Sequence, residues 1–124
     1  MIGKVYQSIV DYYDSKTRST RKKVRPVLIV GGPRNNDYIV LPISTITNRA
    51  NLDPVYDILI DDAERTVLNL SKECFIRAHK QMPVHQAQLI RQKGNMKDDL
   101  PELYLTALEK MEQFQRFISE NALL

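Results

Sequence analysis

The chain has 124 residues, a normal length for one domain, so we expect a single domain over residues 1–124. Hydrophobic residues make up 43% and charged residues 27%, which is typical of a globular protein with a buried core. The single cysteine, Cys74, excludes an internal disulfide and favours a reducing, cytoplasmic location. The longest apolar run, residues 27–30, is too short to cross a bilayer, so neither secretion nor membrane insertion is expected.

The formal net charge of +3 is distributed unevenly along the chain. Residues 1–50 carry nine basic and three acidic groups, residues 51–97 seven and six, and residues 98–124 two and six, giving +6, +1 and −4. Six cations lie in a ten-residue window without an acid: Lys16, Arg18, Arg21, Lys22, Lys23 and Arg25. Such a cluster attracts polyanions, nucleic acid above all, although a solvated loop can have the same composition.

Hydrophobic segments separated by turn-forming residues predict five strands, at residues 3–12, 25–30, 38–45, 56–60 and 74–79. The polar stretch 14–20 is expected to be a long loop after the first strand. Residues 31–33 and 35–37 would turn the second strand into the third and so form a hairpin. Residues 61–65 would form a further turn.

Two prolines, Pro26 and Pro42, lie in the predicted strands. Because proline has no N–H to give to a sheet, each is expected at a strand start, an edge or a bulge. Such positions are common beside functional sites.

Helical patterns dominate the end of the chain. Pro83 suits the first turn of a helix over about residues 83–93, which Gly94 would close. Apolar residues recur every three to four positions over about residues 100–120, which predicts a second, amphipathic helix. Strands over about residues 3–80 followed by helices, without alternating βαβ units, predict a mainly β fold: a small twisted sheet or half-open barrel with added helices.

Several kinds of site are excluded by the sequence. The glycines at 31–32 precede a proline and not a helix, so they do not form a phosphate-binding loop, and no Gly-x-Ser-x-Gly motif is present. The spacing of Cys74, His79 and His85 does not match known zinc arrangements. We therefore expect neither a metal nor a cofactor.

A set of basic and hydroxyl residues remains that could converge on a phosphate. Cleavage of RNA without a metal needs a base for the 2′-OH, an acid for the leaving 5′ oxygen and cations for the phosphorane. Period-two alternation also places Arg77 and His79 on one face of the last strand. Each residue of the set has a structural explanation as well, such as an ion pair or a turn cap. The candidates are Arg25, Ser44, Thr45, Thr47, Arg77 and His79.

Ordered motifs along the chain resemble those of the PemK/MazF family of toxin endoribonucleases. They are an opening Gly-x-Val-Tyr strand, Lys-Val-Arg-Pro-Val-Leu-Ile-Val at 23–30, Ile-Val-Leu-Pro-Ile-Ser-Thr at 39–45 and Ile-Arg at 76–77. The similarity covers residues 3 to about 120. It implies an SH3-like barrel of the CcdB/MazF/PemK type with a C-terminal helix, which forms a two-fold symmetric homodimer.

The resemblance also implies roles for particular residues. Arg25 corresponds to the essential arginine of the Arg-Pro motif and would bind the scissile phosphate or act in proton transfer. Ser44, with Thr45 beside it, corresponds to the family's hydroxyl residue. Arg77 matches the arginine of an Arg-Thr-Ile/Leu-Asp segment, whereas the acidic position falls on Lys80. Because that acid is missing, we hypothesise that His79 takes part of the proton transfer.

The loop before the Arg-Pro motif also departs from the family. Relatives often carry Gly-Ser-Glu there, whereas this chain has a basic segment over residues 15–23. In the family this loop covers the RNA site, so its cations are expected to bind RNA. The expected RNA-binding residues are Lys16, Arg18, Arg21, Lys22, Lys23, Thr47 and Lys80.

The resemblance therefore predicts a sequence-selective, metal-independent endoribonuclease that cleaves single-stranded RNA, the toxin of a toxin–antitoxin module. Its partners would be the RNA substrate, a cognate antitoxin with an acidic or apolar segment, and a second copy of the chain. Two alternatives remain open. One is a non-enzymatic toxin that binds a protein such as DNA gyrase, and the other is a nucleic-acid-binding module without catalysis.

Overall fold

The computed structural model describes residues 1–124. The chain forms seven strands, three helices and two short 3-10 turns. The strands are β1 (Lys4–Asp14), β2 (Ser19–Arg34), β3 (Asp37–Thr45), β4 (Asp57–Ile60), β5 (Cys74–Arg77), β6 (Met82–His85) and β7 (Leu89–Asn95). The helices are α1 (Asp62–Val67), α2 (Met96–Asp99) and α3 (Pro101–Ala122), and the 3-10 turns are Arg49–Asn51 and Gln86–Gln88.

All strands join one antiparallel sheet with the order β4-β5-β3-β2-β1-β7, and β6 lies beside β3. Strand β3 changes its partner along its length: residues 37–40 pair with β6, and residues 43–45 pair with β5. The sheet therefore curls into a half-barrel. The predicted fold class, mainly β with a barrel-like sheet and a C-terminal helix, is confirmed.

Alternating side chains of the central strands fill a core on each face of the sheet. On β2, Leu28 belongs to a cluster of 13 buried residues, whereas its neighbour Val27 belongs to a second cluster of six on the opposite face. Helix α3 packs Leu103 and Ala107 into the larger cluster. The helix expected over residues 100–120 is thus confirmed. None of the helices combines the length and hydropathy needed to span a bilayer.

The stretch 14–20, expected to be a long loop, forms the tip of a long β1–β2 hairpin. Only residues 15–18 turn the chain, and the basic residues after them belong to β2. This segment is polar because the hairpin extends past the core, so the hydrophobic alternation that reveals a strand is missing. Cross-strand ion pairs hold it instead, from Lys22 to Asp11 at 2.9 Å and from Arg21 to Asp14 at 3.5 Å.

The predicted β2–β3 hairpin is confirmed. Asn35 and Asn36 form its turn with φ of 52° and 65°, the left-handed conformation that two-residue hairpin turns require. Strand β2 continues through residues 31–33, where its register with β3 shifts, so these residues interrupt the ladder without ending the strand.

The prediction of a helix over residues 83–93 is wrong. This segment contains the end of β6, a 3-10 turn and most of β7. Pro83 is tolerated because β6 pairs only with β3 and leaves its other side open. Strand β7 pairs with β1 at the other end of the sheet, a contact between distant segments that local periodicity does not reveal.

Residues 61–65, expected to be a turn, begin helix α1. Asp61 accepts a hydrogen bond from the Glu64 backbone N at 2.8 Å, and the Glu64 side chain accepts one from the Asp61 backbone N at 2.9 Å. This reciprocal capping box makes a short helix favourable at a position where acidic residues also suit a turn.

Candidate active site

A cleft opens where β2 and β3 separate. Their ladder ends at the pair Val27 and Pro42, and Pro26 is the next residue of β2 toward the hairpin tip. Neither proline has an N–H, so β2 and β3 do not continue their pairing beyond this point. The end of the ladder is a local edge of the sheet, which is the position expected for both prolines. The cleft has a volume of about 510 Å³ and no acidic side chain lines it. Its polar lining residues are Lys23, Arg25, Ser44, Thr45, Thr47, Asn48, Asn51 and Arg77.

Arg25 and Ser44 are joined across the cleft by a short hydrogen bond. Arg25 Nη1 donates to Ser44 Oγ at 2.6 Å, from β2 to the end of β3. The Ser44 residue is only 8% exposed, so its side chain is fixed in place. Because the Ser44 oxygen accepts from Arg25, its own O–H remains available to an acceptor in the cleft.

Arg77 extends from β5 into the cleft, and its Nε forms an ion pair with the buried side chain of Asp57. Asp57 lies opposite Arg77 in the β4–β5 register, and its side chain is 2% exposed. Arg77 Nε donates to Asp57 Oδ1 at 3.3 Å, while the other Asp57 oxygen accepts from the Asp53 backbone N at 2.7 Å. No protein group accepts from the two Nη groups of Arg77, so they are free to bind a ligand.

Burial and neighbouring positive charge lower the pKa of two cations of the cleft. Burial lowers the pKa of Arg25, and the nearby charge of Arg77 lowers it further, against a smaller raising effect of Tyr12. Burial, followed by the charge of Arg25, lowers the pKa of Lys23. Positive groups are thus held close together without an acid among the lining residues. An anion in the cleft would relieve this repulsion.

His79 does not line the cleft, although it lies two residues from Arg77. Its ring packs against Tyr56 and against Phe114 of α3, with centroid distances of 5.7 and 5.8 Å. Its Nδ1 is buried without a hydrogen bond, 3.8 Å from Asp57 Oδ1. Burial lowers the pKa of His79, which outweighs the raising effect of Asp57. His79 therefore contacts the same buried acid as Arg77 but from outside the cleft.

Of the seven residues expected to bind RNA, only Lys23 and Thr47 line the cleft. Lys23 also places its Nζ 4.4 Å from the centre of the Tyr12 ring. The remaining expected contacts lie elsewhere on the surface. Lys16 and Arg18 are exposed at the hairpin turn, Arg21 and Lys22 pair with acids of β1, and Lys80 is exposed just after β5.

Several residues of the site were not identified from the sequence. Asn48, Asn51 and Phe75 line the cleft, and Asp57 supports Arg77. The two asparagines come soon after Ser44 and Thr45 in the sequence, and this proximity could have indicated that they belong to the same site. Asp57 gives no such signal, because it lies 20 positions before Arg77 and meets it only through strand pairing.

No three His, Cys, Asp or Glu side chains lie close enough together to hold a metal ion. Cys74 packs in the larger core cluster, where burial raises the pKa of its thiol. His85 instead caps the second 3-10 turn, with its Nδ1 accepting from the Ala87 backbone N.

Comparison with known proteins identifies the family. No curated protein matches the chain. A family model described as the PemK-like, MazF-like toxin of the type II toxin–antitoxin system matches residues 4–111, which include every strand, the whole cleft and the first half of α3. Because this match covers most of the sequence and agrees with the half-barrel and its C-terminal helix, the chain belongs to the PemK/MazF-like family of type II toxins.

Proposed function

We propose that this protein is an endoribonuclease that cleaves single-stranded RNA without a metal ion and acts as the toxin of its module. The observation that carries the proposal is the convergence of two arginines and several hydroxyl groups in one cleft that no acidic side chain lines. Arginine binds phosphate through paired N–H groups, and hydroxyl groups donate to phosphate oxygens. The lining therefore suits a phosphodiester.

The reaction proposed is an internal transfer of the phosphate. The 2′ oxygen attacks phosphorus, its O–P bond forms, and the bond from phosphorus to the 5′ oxygen of the next nucleotide breaks. The 2′-OH proton passes to solvent, and the leaving 5′ oxygen takes a proton. The products are a 2′,3′-cyclic phosphate and a 5′-hydroxyl end.

The cleft residues are suited to stabilise the charge that develops on the phosphate. The free Nη groups of Arg77 would bind the non-bridging oxygens, and the Ser44 hydroxyl would donate to one of them. Arg25 fixes Ser44 and faces the same space, so it would bind the scissile phosphate directly. Burial and the charge of Arg77 lower the pKa of Arg25, so an anionic phosphate beside it would relieve that repulsion.

The neighbouring polar residues would hold the RNA around that phosphate. Thr45 and Thr47 lie next to Ser44 in the cleft, and Lys23 extends the positive surface toward the hairpin. His79 enters the proposal indirectly, because it touches Asp57, which holds Arg77. The outlying cations would attract RNA at longer range. They are Lys16, Arg18, Arg21, Lys22 and Lys80.

Family membership implies an antitoxin partner. We propose that an acidic or apolar segment of that antitoxin covers the cleft, since an acid would pair with the crowded cations and exclude RNA. A homodimer in the cytoplasm is the proposed working form. Exposed apolar residues of α3, among them Leu105, Phe117 and Ile118, are available for contact with a second chain.

The test is incubation of the purified protein with a mixed single-stranded RNA in the presence of EDTA. We expect cleavage that gives 5′-hydroxyl ends and that stops when the nucleotide 5′ of the cut carries 2′-deoxyribose. The Arg25→Ala variant should lose this activity, whereas Arg116→Ala, which removes an arginine paired with Glu112 on α3, should keep it. RNA binding without cleavage would instead support a binding module. Inhibition of DNA gyrase without RNA cleavage would support a protein-directed toxin.

A further inference from the structure

A second cleft adjoins the candidate active site. It has a volume of about 220 Å³ and shares Pro26, Ile43 and Thr45 with the first cleft. The two spaces are therefore separated only by the end of β3. A chain bound at Arg25 and Ser44 can pass over Thr45 into the second cleft.

The second cleft is basic and polar. Lys72 comes from the loop before β5, and Lys93 comes from β7. Neither lysine forms an ion pair, and no acidic side chain lines the cleft. The other polar lining residues are Gln7, Thr45, Asn69 and Ser71.

A hydrogen bond links the two segments that carry the lysines. Asn69, with φ of 54°, donates from Nδ2 to the Lys93 backbone O at 2.7 Å. This bond ties the loop that carries Lys72 to the strand that carries Lys93. The lysines thus form a site built from segments that are remote in sequence.

Apolar groups form the remaining lining of this cleft. Pro26, Ile43 and Leu70 contribute to it, beside the amides of Gln7 and Asn69. An apolar surface beside amide donors and acceptors suits the face and the edge of a nucleic-acid base. The two lysines suit the phosphate that joins this base to its neighbour.

We propose that the second cleft binds the nucleotide next to the scissile phosphate, with Lys72 and Lys93 on its phosphate and the amides on its base. This inference rests on the proposed RNA-cleaving function and names a substrate-binding site for it. It assigns part of the RNA selectivity to the loop at residues 69–72. A nucleotide is favoured over a peptide because the cleft is continuous with a phosphate site and carries unpaired cations.

The experiment measures binding separately from cleavage. Fluorescence anisotropy with a labelled RNA containing 2′-deoxyribose throughout its cleavable positions gives the affinity of Lys72→Ala, Lys93→Ala and the double variant. Lys110→Ala on α3 is the matched control, and circular dichroism checks that each variant is folded. Both lysines of the cleft have exposed or half-buried side chains, so folding should be retained.

We expect each single variant to bind the long RNA about fivefold to tenfold more weakly, and the salt dependence of log K to fall by about 0.7 for each lost phosphate contact. On cleavable RNA, KM should rise while kcat stays close to that of the wild type. The effect should vanish on a cleavable RNA that ends at the nucleotide next to the scissile phosphate, because it lacks the further phosphate that the lysines bind. Lys110→Ala should bind as the wild type does.

Equal affinity and an equal salt slope for the wild type and the double variant would overturn the subsite. A loss that persists undiminished on the RNA without that further phosphate would also overturn it, because the lysines would then act on the scissile phosphate or at long range. If the wild type binds RNA in this lysine-dependent way but does not cleave it, the proposed catalysis fails and the subsite stands. No binding by the wild type would overturn both.

Discussion

The tip and the base of the β1–β2 hairpin carry the same kinds of residue in different electrostatic surroundings. At the tip, Arg21 and Lys22 are exposed and pair with acids of β1. At the base, Lys23 and Arg25 line a cleft without acids, where burial lowers the pKa of both, followed by the charge of Arg25 for Lys23 and of Arg77 for Arg25. Within one run of cations, Arg21 and Lys22 are thus paired with acids, whereas Lys23 and Arg25 have no acid beside them and can bind an anion. The following predictions test this division.

The largest expected effect is the loss of RNA cleavage on removal of the half-buried cation Arg25. Arg25→Ala should lower kcat/KM by about 100-fold or more, as loss of one charge-stabilising donor does in other active sites. Arg21→Ala, four positions away and paired with Asp14, should change it less than about threefold. Initial rates on one RNA, with unfolding temperatures as a folding check, decide the comparison. Equal losses in the two variants would show that Arg21 and Arg25 contribute only through the overall positive charge and not through their positions.

Removal of the Ser44 hydroxyl should have the next largest effect. Ser44→Ala deletes the acceptor of Arg25 and the proposed donor to phosphate, so kcat should fall by about tenfold to 100-fold. Ser44→Thr keeps the hydroxyl and should restore most of the rate. If Ser44→Ala and Ser44→Thr were equally impaired, side-chain volume and not the hydroxyl would be the important property.

Asp57 should affect the cleavage rate indirectly, because it holds Arg77 in position. Asp57→Asn removes the charge opposite Arg77 Nε, and we expect kcat to fall about tenfold, equivalent to about 1.4 kcal/mol. Asp57→Glu should recover part of this loss only if the longer side chain still reaches Nε. Stability should fall as well, because Arg77 would keep its charge without a partner. A normal rate in a folded Asp57→Asn protein would show that Arg77 needs no support.

A smaller effect is expected on RNA affinity from two adjacent lysines. Lys23→Ala should weaken binding severalfold and reduce the salt slope by about 0.7, because Lys23 lines the cleft. Lys22→Ala removes a lysine paired with Asp11 and should change both quantities little. Anisotropy titrations over a range of salt concentrations test this pair. A larger loss in Lys22→Ala than in Lys23→Ala would reverse the assignment of the two surfaces.

The smallest effect is a pH dependence of stability from His79. Its folded pKa is lowered, so between that value and about 6.5 the unfolded chain binds a proton that the folded chain does not. Stability from His79 is complete above pH 6.5 and decreases as the pH falls through this range. Urea unfolding at pH 7.5 and 5.5 should show this loss in the wild type and a smaller loss in His79→Gln.

A variant that leaves His79 in place provides the control for that measurement. Arg116→Ala, at an exposed position of α3, should keep the wild-type pH dependence. The same His79→Gln protein also tests the indirect role proposed for this residue. We expect its RNA cleavage at pH 7.5 to fall by less than the cleavage of Asp57→Asn. A greater loss would place His79 in the proton transfer itself.

Part of the fold and of the site was predictable because its signals are local. The hydrophobic strands, the asparagine turn and the periodicity of α3 are properties of neighbouring residues. The motifs around Arg25 and Ser44 identified two residues that the structure joins by a hydrogen bond. The helix expected at 83–93 failed because pairing with distant strands outweighed a pattern suited to a helix.

The sequence by itself determined the mainly β architecture, the family and the cations of the amino-terminal third. Tertiary structure decided which cations remain unpaired, since Lys22 and Lys23 point to opposite faces of β2, where one meets Asp11 and the other the Tyr12 ring. It also decided that Asp57 supports Arg77 and that Lys72 and Lys93 line the same cleft. Asp57 and Arg77 lie 20 positions apart in sequence, and strand register brings them together. An ion pair or hydrogen bond depends on distances of a few ångströms, which the order of residues along the chain does not contain.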